Sequence, residues 1–364
     1  MKHLKVVKVG GTPYEMGYDY GKECRDQIQY FAREALLRQI AGEGAVDMYR
    51  IAEIAKDTAK DYEPYIIKAA PHLIEEIRGI GDGAQIRYQQ ALMLQCRSEL
   101  IYQTKLKQNA RNKSNNHFEC SSFAISRNRS ADGQVIVGQN VDLGAELEEL
   151  GLILCLYPKE GPSVMTWTLA GTVGQVGLNS AGMARCGNVL ICPGWRVGLP
   201  TTIIFRRILE MPTVLEVVEL VKGSYRAKSN NFVVGDKSDA ILDLETTTTD
   251  HRLLQDDDGI IIHTNHYIHT DFTKYEMFYK LEDSKIRLDC LQKLFNKAPR
   301  KIDTDYLKSV LSSHDTDPHS VCVHASDASN DTKTVLSVIL KPEAGTMLAC
   351  PGNPCRGAFV SYNL

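Results

Sequence analysis

The sequence predicts an α+β fold in which two β-sheets pack face to face and helices cover their outer faces. Apolar residues first recur at intervals of three and four, from residue 14 to about residue 111, which is a helical spacing. After a polar segment at 108–117 the spacing changes abruptly to an alternation of two. Helical stretches and then strands return further along the chain. Helices, many strands, helices and strands in this order are typical of a layered sandwich.

The N-terminal third begins as an edge strand and continues as helices. Residues 1–11 interleave charged and apolar side chains at every second position, which is the strand period. Pro13 stands where a first helix would begin, and Pro64 and Pro71 interrupt the helical pattern. The glycine-rich run 79–83 predicts a break before a last helix through 91–100. This run lacks the preceding strand that a phosphate-binding loop requires.

The remaining two thirds of the chain predict a strand-rich unit with inserted helices. Cys120-Ser-Ser-Phe-Ala-Ile-Ser126, a turn at 130–133 and residues 134–140 form a strand, turn and strand by composition. Further strands are predicted at 152–156, 164–169, 173–178, 183–189, 232–234, 240–244, 260–263, 335–340 and 347–350. Helices are predicted at 201–210, 213–222, 284–295 and 305–311.

The composition argues against several classes of protein. The chain has 364 residues, is 43% hydrophobic and 24% charged, and carries a net charge of −3. This balance disfavours a nucleic acid or an anionic membrane as the main partner. No window approaches the roughly 18 consecutive apolar residues of a membrane-spanning helix. Ten cysteines are too sparse for a disulfide scaffold, so we expect a soluble, cytoplasmic protein with free thiols.

Cys120 is the first candidate for chemistry. It lies where the polar segment meets the first strand of the sheet half, between Glu119 and the hydroxyl residues Ser121 and Ser122. A structural cysteine is usually surrounded by apolar residues, whereas a polar and partly exposed setting permits a reactive thiolate. The residues alone leave both readings open.

Five motifs then carry a resemblance to a known family. In order they are Gly11-Thr-Pro-Tyr-Glu-Met-Gly17, Cys120-Ser-Ser-Phe, Gly138-Gln-Asn-Val-Asp142, Gly177-Leu-Asn-Ser-Ala-Gly182 and His263-Thr-Asn-His266. Together they span essentially the whole chain. The sequence resembles the acyl-coenzyme A:isopenicillin N (6-aminopenicillanic acid) acyltransferase family, peptidase family C45, within the N-terminal-nucleophile hydrolases. The resemblance implies a four-layer αββα sandwich with an N-terminal helical layer.

The resemblance also implies that the precursor cuts itself between Glu119 and Cys120. Residues 1–119 would become a helical chain and residues 120–364 the catalytic core, both within one compact unit. The new α-amino group, with a pKa of about 7.7–8.0, could take the proton of a thiol whose pKa is about 8.5. Many relatives carry glycine before the nucleophile, and Glu119 departs from that pattern.

Five further residues are assigned to the site, the first three of them on the same resemblance. Asp142 would orient the terminal amine of Cys120. Asn188 and Asn265 would donate hydrogen bonds to the oxyanion, because a neutral amide needs no counter-ion in a dry pocket. Asn140 lies two residues before Asp142 and so shares its strand face; with Ser121 it is expected to contact substrate. Without the resemblance, each asparagine is more typical of a turn or a hydrogen-bonded core position.

A second position departs from the family pattern. Relatives tend to carry an arginine next to the cysteine in the stretch that corresponds to Ser320-Val-Cys-Val-His324, and this chain has Val323 there. Either His324 or Arg356 could replace the missing guanidinium, or the substrate lacks the matching anion. We assign His324 to substrate binding, and from Val323 we expect a pocket that prefers uncharged groups near the nucleophile.

These observations predict a self-processing N-terminal cysteine amidohydrolase or acyltransferase without a cofactor. Small N-acyl amides are the expected acyl donors, with water favoured over an amine as acceptor, because no nucleotide-binding loop or basic cluster suits coenzyme A. Acyl-coenzyme A-dependent transfer and an inactive binding protein of the same fold are the alternatives. A metal site is a further alternative at two stretches and at one cysteine pair. The first stretch contains His263, His266 and His269, and the second contains His314 and His319. The cysteine pair is Cys350 and Cys355.

Overall fold

The computed structural model describes residues 3–41, 47–101, 120–255, 258–278, 281–325 and 332–364. Glu119, and with it one side of the expected cleavage site, lies outside the described residues, as does the polar segment at 108–117. Among the described residues, no helix is both long enough and apolar enough to cross a membrane.

Fourteen strands in the described ranges form two sheets. They are β1 Lys5–Gly11, β2 Ser121–Ile125, β3 Ile136–Gly144, β4 Gly151–Pro158, β5 Val164–Leu169, β6 Val176–Asn179, β7 Met183–Cys186, β8 Asn230–Asp236, β9 Ile241–Thr246, β10 His251–Leu254, β11 Ile260–His263, β12 Thr332–Lys341, β13 Thr346–Pro351 and β14 Val360–Asn363. Sheet A has the order β1-β4-β5-β6-β7-β8-β9-β10, and sheet B the order β11-β2-β3-β12-β13-β14. Neighbouring strands are antiparallel except β1 and β4, which are parallel.

Helices cover the outer face of each sheet, so the architecture is the expected αββα sandwich. The helices are α1 Pro13–Glu23, α2 Arg25–Tyr30, α3 Leu36–Ala41, α4 Met48–Lys60, α5 Glu63–Ala69, α6 Pro71–Ala84, α7 Tyr88–Gln95, α8 Thr201–Ile208, α9 Val214–Gly223, α10 Glu282–Asn296 and α11 Thr304–Leu311. A π-helical segment, Phe31–Ala35, joins α2 to α3. The N-terminal helices with α8 and α9 lie on sheet A, and α10 and α11 lie on sheet B.

The start of α1 shows how the N-terminal motif specifies its helix. Thr12 caps the helix, since its side chain accepts from the Glu15 amide while the Glu15 carboxylate accepts from the Thr12 amide at 2.7 Å. Pro13 occupies the first turn, where its missing N–H costs nothing. Gly17 then lets α1 approach α6 closely, because a Cβ there would lie 2.0 Å from the Glu76 carbonyl oxygen. This helix pair covers sheet A.

The two sheets meet through alternating side chains. On β2, Ala124 joins the core between the sheets, whereas Phe123 and Ile125 point to the helices on sheet B. Phe123 packs edge-on against Phe295 of α10, with ring centroids 5.6 Å apart. The outer face of sheet A has a matching pair, Phe205 of α8 and Phe232 of β8. The two-residue period of the sequence therefore corresponds to an alternation between two apolar layers.

Three details of the sequence prediction were wrong. The run 79–83 does not break the helical layer but lies inside α6, where Gly79 and Gly83 face α1. The strand predicted at 183–189 ends at Cys186, because Gly187 adopts φ +150° and a Cβ there would lie 2.3 Å from the Asn231 carbonyl. The strands β10 and β14 were missed, since each is a short edge strand with partly exposed side chains.

Candidate active site

Cys120 lies directly before β2, at the end of the sandwich where the two sheets leave a polar interior. It is 9% exposed, and its Sγ donates to the backbone carbonyl of Asp142 at 3.9 Å. This contact arises because β2 pairs antiparallel with β3, with Ser121 opposite Asn140, which brings the start of one strand to the end of the other. The strand pairing therefore brings the backbone of Asp142 to the Cys120 thiol, and the role expected for the Asp142 carboxylate stays a prediction.

The environment of the Cys120 thiol disfavours its charged form. Burial, and next the negative charge of Asp142, raise the pKa of the Cys120 thiol to about 12. Hydrogen bonding from the Asp142 backbone and from Gln139, and the positive charge of Arg287, act in the opposite direction. At neutral pH the thiol of the continuous chain is therefore protonated, and it needs a base before it can act as a nucleophile.

Arg287 is a site residue that the sequence reasoning missed. It projects from α10, is 1% exposed, and its Nη1 donates to the carbonyl oxygen of Cys120 at 2.8 Å and to Ser121 Oγ at 3.1 Å. Its Nη2 donates to Asn265 Oδ1 at 3.2 Å and lies 3.5 Å from the Asp283 carboxylate. One guanidinium thus connects the candidate nucleophile, its neighbour and a candidate oxyanion residue. The only sequence signal was an arginine on the buried face of a predicted helix.

Asn140 and Ser121 have different surroundings. Asn140 is fully buried, and both hydrogens of its amide are donated, at 2.8 Å each, to the carbonyl oxygens of Leu311 and Val321. Its Oδ1 accepts from Ser337. Asn140 therefore ties β3 to the segments that flank it, while Ser121 stays beside Cys120 under the guanidinium.

Asn188 joins the two sheets next to Cys120. Its Nδ2 donates to Ser122 Oγ at 2.8 Å, across the gap between sheet A and sheet B. Gln139 makes a second bridge, with Nε2 donating to the Gly187 carbonyl at 2.8 Å and Oε1 accepting from the Gly187 amide at 3.1 Å. Because Ser122 and Gln139 are opposite each other in the β2–β3 register, these bridges lie side by side.

Asn265 is held at the end of β11. Its Nδ2 donates to the Val189 carbonyl at 3.0 Å, and its backbone N–H donates to Ser284 Oγ at 2.7 Å. Together with the bond from Arg287, these contacts fix the plane of the Asn265 side-chain amide. The Nδ2 atoms of Asn188 and Asn265 each carry two hydrogens, and the bonds described use one of each pair. Asn188 and Asn265 are both buried, at 2% and 1% exposure.

Two further cations lie near Cys120, and the sequence reasoning missed both. Lys228 is 2% exposed and its Nζ lies 5.3 Å from the centroid of the Trp195 ring. Burial lowers the pKa of Lys228 to about 8, although its attraction to Glu99 and Cys120 opposes this effect. Arg185, which is 1% exposed, also interacts electrostatically with Cys120. Its guanidinium stacks 3.6 Å from the centroid of Phe205.

The histidines of the candidate metal stretch take separate partners. His263 is fully buried, and its Nε2 lies 2.9 Å from Glu245 and 3.7 Å from Asp243. His266 instead points its Nδ1 at Ser284 Oγ, 2.8 Å away. His263 and His266 therefore do not converge on one point.

Within the described residues, neither expected replacement for the arginine missing at Val323, namely His324 or Arg356, lies beside Cys120. His324 lies against Cys322 and Cys355, with its Nε2 3.7 Å and 3.3 Å from their sulfurs. Val323 pairs through its backbone with Thr334, and Arg356 is exposed. The guanidinium that contacts Cys120 comes from Arg287 of α10 instead, so the site holds a cation although Val323 stands where relatives carry arginine.

Comparison with known proteins gives a consistent set of relatives. A family model described as acyl-coenzyme A:6-aminopenicillanic acid acyl-transferase matches residues 128–356. The 40 kDa form of acyl-coenzyme A:6-aminopenicillanic-acid-acyltransferase from Emericella nidulans is 24% identical over 362 residues, which cover 98% of this chain and 96% of that protein. An uncharacterized protein from Archaeoglobus fulgidus is 24% identical over 84% of this chain, and the match spans only 57% of that longer protein.

Three solved structures are similar at a lower level. The Caenorhabditis elegans orthologue of N-acylethanolamine-hydrolyzing acid amidase has a TM-score of 0.45 and 16% identity, and covers 62% of this chain and 93% of its own. A conjugated bile acid hydrolase mutant from Clostridium perfringens has a TM-score of 0.44 and 12% identity, with 67% and 97% covered. Penicillin V acylase from Agrobacterium tumefaciens has a TM-score of 0.44 and 12% identity, with 64% and 82% covered.

Proposed function

Because the chain belongs to the acyl-coenzyme A:6-aminopenicillanic acid acyl-transferase family, we propose that it is a self-processing, C45-type enzyme that uses Cys120 to hydrolyse small N-acyl amides. The sulfur attacks the amide carbonyl, the amine leaves with a proton, and the acyl group remains on Cys120 as a thioester. Water, or less readily an amine, then releases the acyl group. The observation that supports this most strongly is the convergence of Asp142, Arg287 and Asn265 around Cys120.

Self-processing supplies the base that the continuous chain lacks. With its nitrogen in a peptide bond, Cys120 has a thiol pKa of about 12 and no α-amine to deprotonate it. Attack of Sγ on the carbonyl of Glu119 would move that acyl group from nitrogen to sulfur, the thiol proton would pass to the released Cys120 nitrogen, and water would then hydrolyse the thioester. The amino group released on Cys120, with a pKa of about 7.7–8.0, takes the thiol proton in later turnovers.

Each neighbouring residue has a role in this proposal. Asp142, at the end of β3, holds the new ammonium or amine beside the sulfur and balances its charge. Arg287 fixes the Cys120 carbonyl, so that the nucleophile cannot swing away from the substrate. Asn188 and Asn265 direct amide hydrogens at the oxygen that becomes negative during attack.

The charges around Cys120 favour substrates with an anionic group. Arg185, Lys228 and Arg287 are each at most 2% exposed and all interact with Cys120. A carboxylate in such a desolvated site gains charge-assisted hydrogen bonds that a neutral group does not. We therefore propose N-acyl amino acids as the substrate class, in place of the uncharged groups expected from Val323.

Intact mass spectrometry tests self-processing and the identity of the nucleophile. The purified wild type should separate into two chains that divide between Glu119 and Cys120, and Cys120→Ala should remain a single chain. Cys155→Ala is the matched control, since Cys155 is a buried cysteine on β4, and it should be processed normally. A wild type that stays continuous after long incubation, yet hydrolyses amides, would overturn self-processing.

A product assay decides between hydrolysis and transfer. An N-acyl amino acid panel is offered with and without free amines, and products are identified by mass spectrometry. We expect free acid in both cases, and an acyl group trapped on the peptide that begins with Cys120. Formation of new amides without any free acid would replace the hydrolase proposal with an acyltransferase. Absence of turnover on every donor, including acyl-coenzyme A, would support an inactive scaffold.

A further inference from the structure

Four metal-binding side chains come together away from the candidate active site. They belong to His314, Cys322, His324 and Cys355, here named the Cys₂His₂ cluster, and one ligand atom from each lies within 4.8 Å of the others. His314 follows α11, Cys322 and His324 precede β12, and Cys355 lies between β13 and β14. Three separate segments therefore contribute to one point.

The distances among Cys322, His324 and Cys355 match three corners of a tetrahedral zinc site, and the ligand atom of His314 lies within 4.8 Å of theirs. The two sulfurs lie 3.7 Å apart, and His324 Nε2 lies 3.7 Å from Cys322 Sγ and 3.3 Å from Cys355 Sγ. Zinc with Zn–S of about 2.3 Å and Zn–N of about 2.0–2.1 Å places two sulfurs roughly 3.8 Å apart and sulfur and nitrogen roughly 3.5 Å apart. The observed spacing thus leaves room for one such ion at the centre.

The surroundings of the ligands also suit a structural metal. Asn353 Nδ2 lies 3.5 Å from Cys322 Sγ and can donate to it, as groups next to zinc-bound thiolates commonly do. Two thiolates with two imidazoles favour zinc over hard cations such as Mg²⁺ or Ca²⁺, which take oxygen ligands. Four protein ligands leave no open coordination position, which is typical of a structural site.

The Cys₂His₂ cluster is connected to the strand that carries Asp142. Val321, next to Cys322, accepts a hydrogen bond from Asn140 on β3. Val323, between the two ligands, pairs with Thr334 through both its backbone N–H and its carbonyl. Thr334 is opposite Asp142 in the β3–β12 register. The segment that holds two of the ligands therefore supports the end of β3.

We propose that His314, Cys322, His324 and Cys355 bind one structural zinc ion, which fastens the segment before β12 to the loop between β13 and β14. Bound zinc stabilises the folded state because the unfolded chain does not present the four ligands together. The ion takes no part in the acyl chemistry proposed for Cys120, so the two proposals can fail independently.

Metal analysis of the full-length chain tests the proposal. Protein purified under reducing conditions and supplied with ZnCl₂ should contain one zinc ion per chain, as measured by elemental mass spectrometry. His314→Gln and Cys355→Ser change the two exposed ligands, so they should fold, lose the zinc and unfold at a lower temperature. His319→Gln, five residues from His314, and Cys120→Ala are the controls, and both should keep the zinc.

Cobalt substitution gives a second readout. Co²⁺ in place of zinc should show the visible bands of a tetrahedral thiolate site in the wild type, and weaker, shifted bands in Cys355→Ser. Failure of the reduced wild type to bind zinc stoichiometrically would overturn the proposal. Protein handled without reductant could instead form a Cys322–Cys355 disulfide. If reduction of that disulfide restored no zinc binding, the proposal would also be overturned. Loss of zinc without any change in unfolding temperature would overturn the proposal that zinc stabilises the fold.

Discussion

The guanidinium of Arg287 donates a 2.8 Å hydrogen bond to the carbonyl oxygen of Cys120. The two residues lie 167 positions apart in the chain, and α10 carries the arginine while the start of β2 carries the cysteine. The same guanidinium contacts Ser121 and Asn265. A buried cation therefore holds the backbone of Cys120, the proposed nucleophile, and the first prediction follows from this contact.

Arg287→Met should lower kcat/KM by about 100-fold, because loss of the contact misplaces Cys120 relative to the substrate carbonyl. Arg287→Lys should recover only part of the activity, since one ammonium cannot reach the carbonyl, the hydroxyl and the amide together. Steady-state kinetics on the processed enzyme provides the measurement.

Arg226→Met is the matched control for Arg287→Met. Arg226 is also buried, and it donates to the carbonyl oxygens of Thr247 and Asp250 at 2.9 Å each, in a different part of sheet A. It should lose stability but keep the kcat of the folded enzyme. Equal losses of kcat in both variants would show that Arg287 acts only through the stability of the fold.

Asp142→Asn should lower the pKa of the Cys120 thiol in the continuous chain. The negative charge of Asp142 is the second contribution, after burial, that raises this pKa to about 12. Once processed, the variant should nevertheless turn over more slowly, because the terminal amine loses its partner. The measurement is the pH dependence of Cys120 alkylation, with continuous and cleaved chains resolved by intact mass.

Cys355 serves as the internal reference for that alkylation, because it is the exposed cysteine of the chain. Its rate should be the same in wild type and Asp142→Asn. An unchanged or higher pKa of Cys120 in the variant would contradict the electrostatic role given to Asp142.

The layers of the fold could be predicted from the sequence because burial imposes a period. In β2, alternate side chains face sheet A and α10, and both faces are apolar beyond Ser122. The helices near 284–295 and 305–311 were predicted within two residues of their observed bounds. The end of the strand near Cys186 was not, because it depends on the close approach of Gly187 to Asn231, a residue far along the chain.

The site could be predicted only where a motif keeps its residues close in sequence. Cys120 and Asp142 are joined by one hairpin, so their contact follows from strand pairing. Arg287 and Lys228 reach Cys120 from other layers, and no local pattern marks them. The ligands of the Cys₂His₂ cluster have irregular spacings, so the sequence alone did not associate His314 or His324 with Cys355.

The free energy of unfolding should fall as pH rises from about 6.5 to about 9. Burial disfavours the charged form of His263, but Asp243 and Glu245 outweigh burial and raise the pKa of His263 to about 9. The folded state then binds more protons than the unfolded state between the ordinary pKa of about 6.5 and that value, so stability is lost on going up through this range. Urea unfolding at several pH values provides the measurement.

His263→Gln should flatten this dependence by on the order of 2 kcal/mol. His319→Gln, at a partly exposed loop position, is the control and should keep the wild-type slope. A slope that survives in His263→Gln would assign the pH dependence to other groups.

Lys228→Met should reduce kcat/KM for an N-acyl amino acid by about 10-fold, the equivalent of one lost charge contact of about 1.4 kcal/mol. The matched carboxamide, which has no negative charge, should be affected much less. The reason is that Lys228 is a buried ammonium in electrostatic contact with Cys120. Lys237→Met removes an exposed lysine and should leave kcat/KM unchanged for both substrates.

The pH profile of the same pair of substrates separates Lys228 from the other titrating groups. Burial lowers the pKa of Lys228 to about 8, so the wild type should lose its preference for the carboxylate as pH rises through about 8. The terminal amine of Cys120 titrates in the same range, but it acts on both substrates and cancels in the ratio of their kcat/KM values. In Lys228→Met the ratio should be flat across this range. A ratio that still falls near pH 8 in that variant would mean that another cation binds the carboxylate.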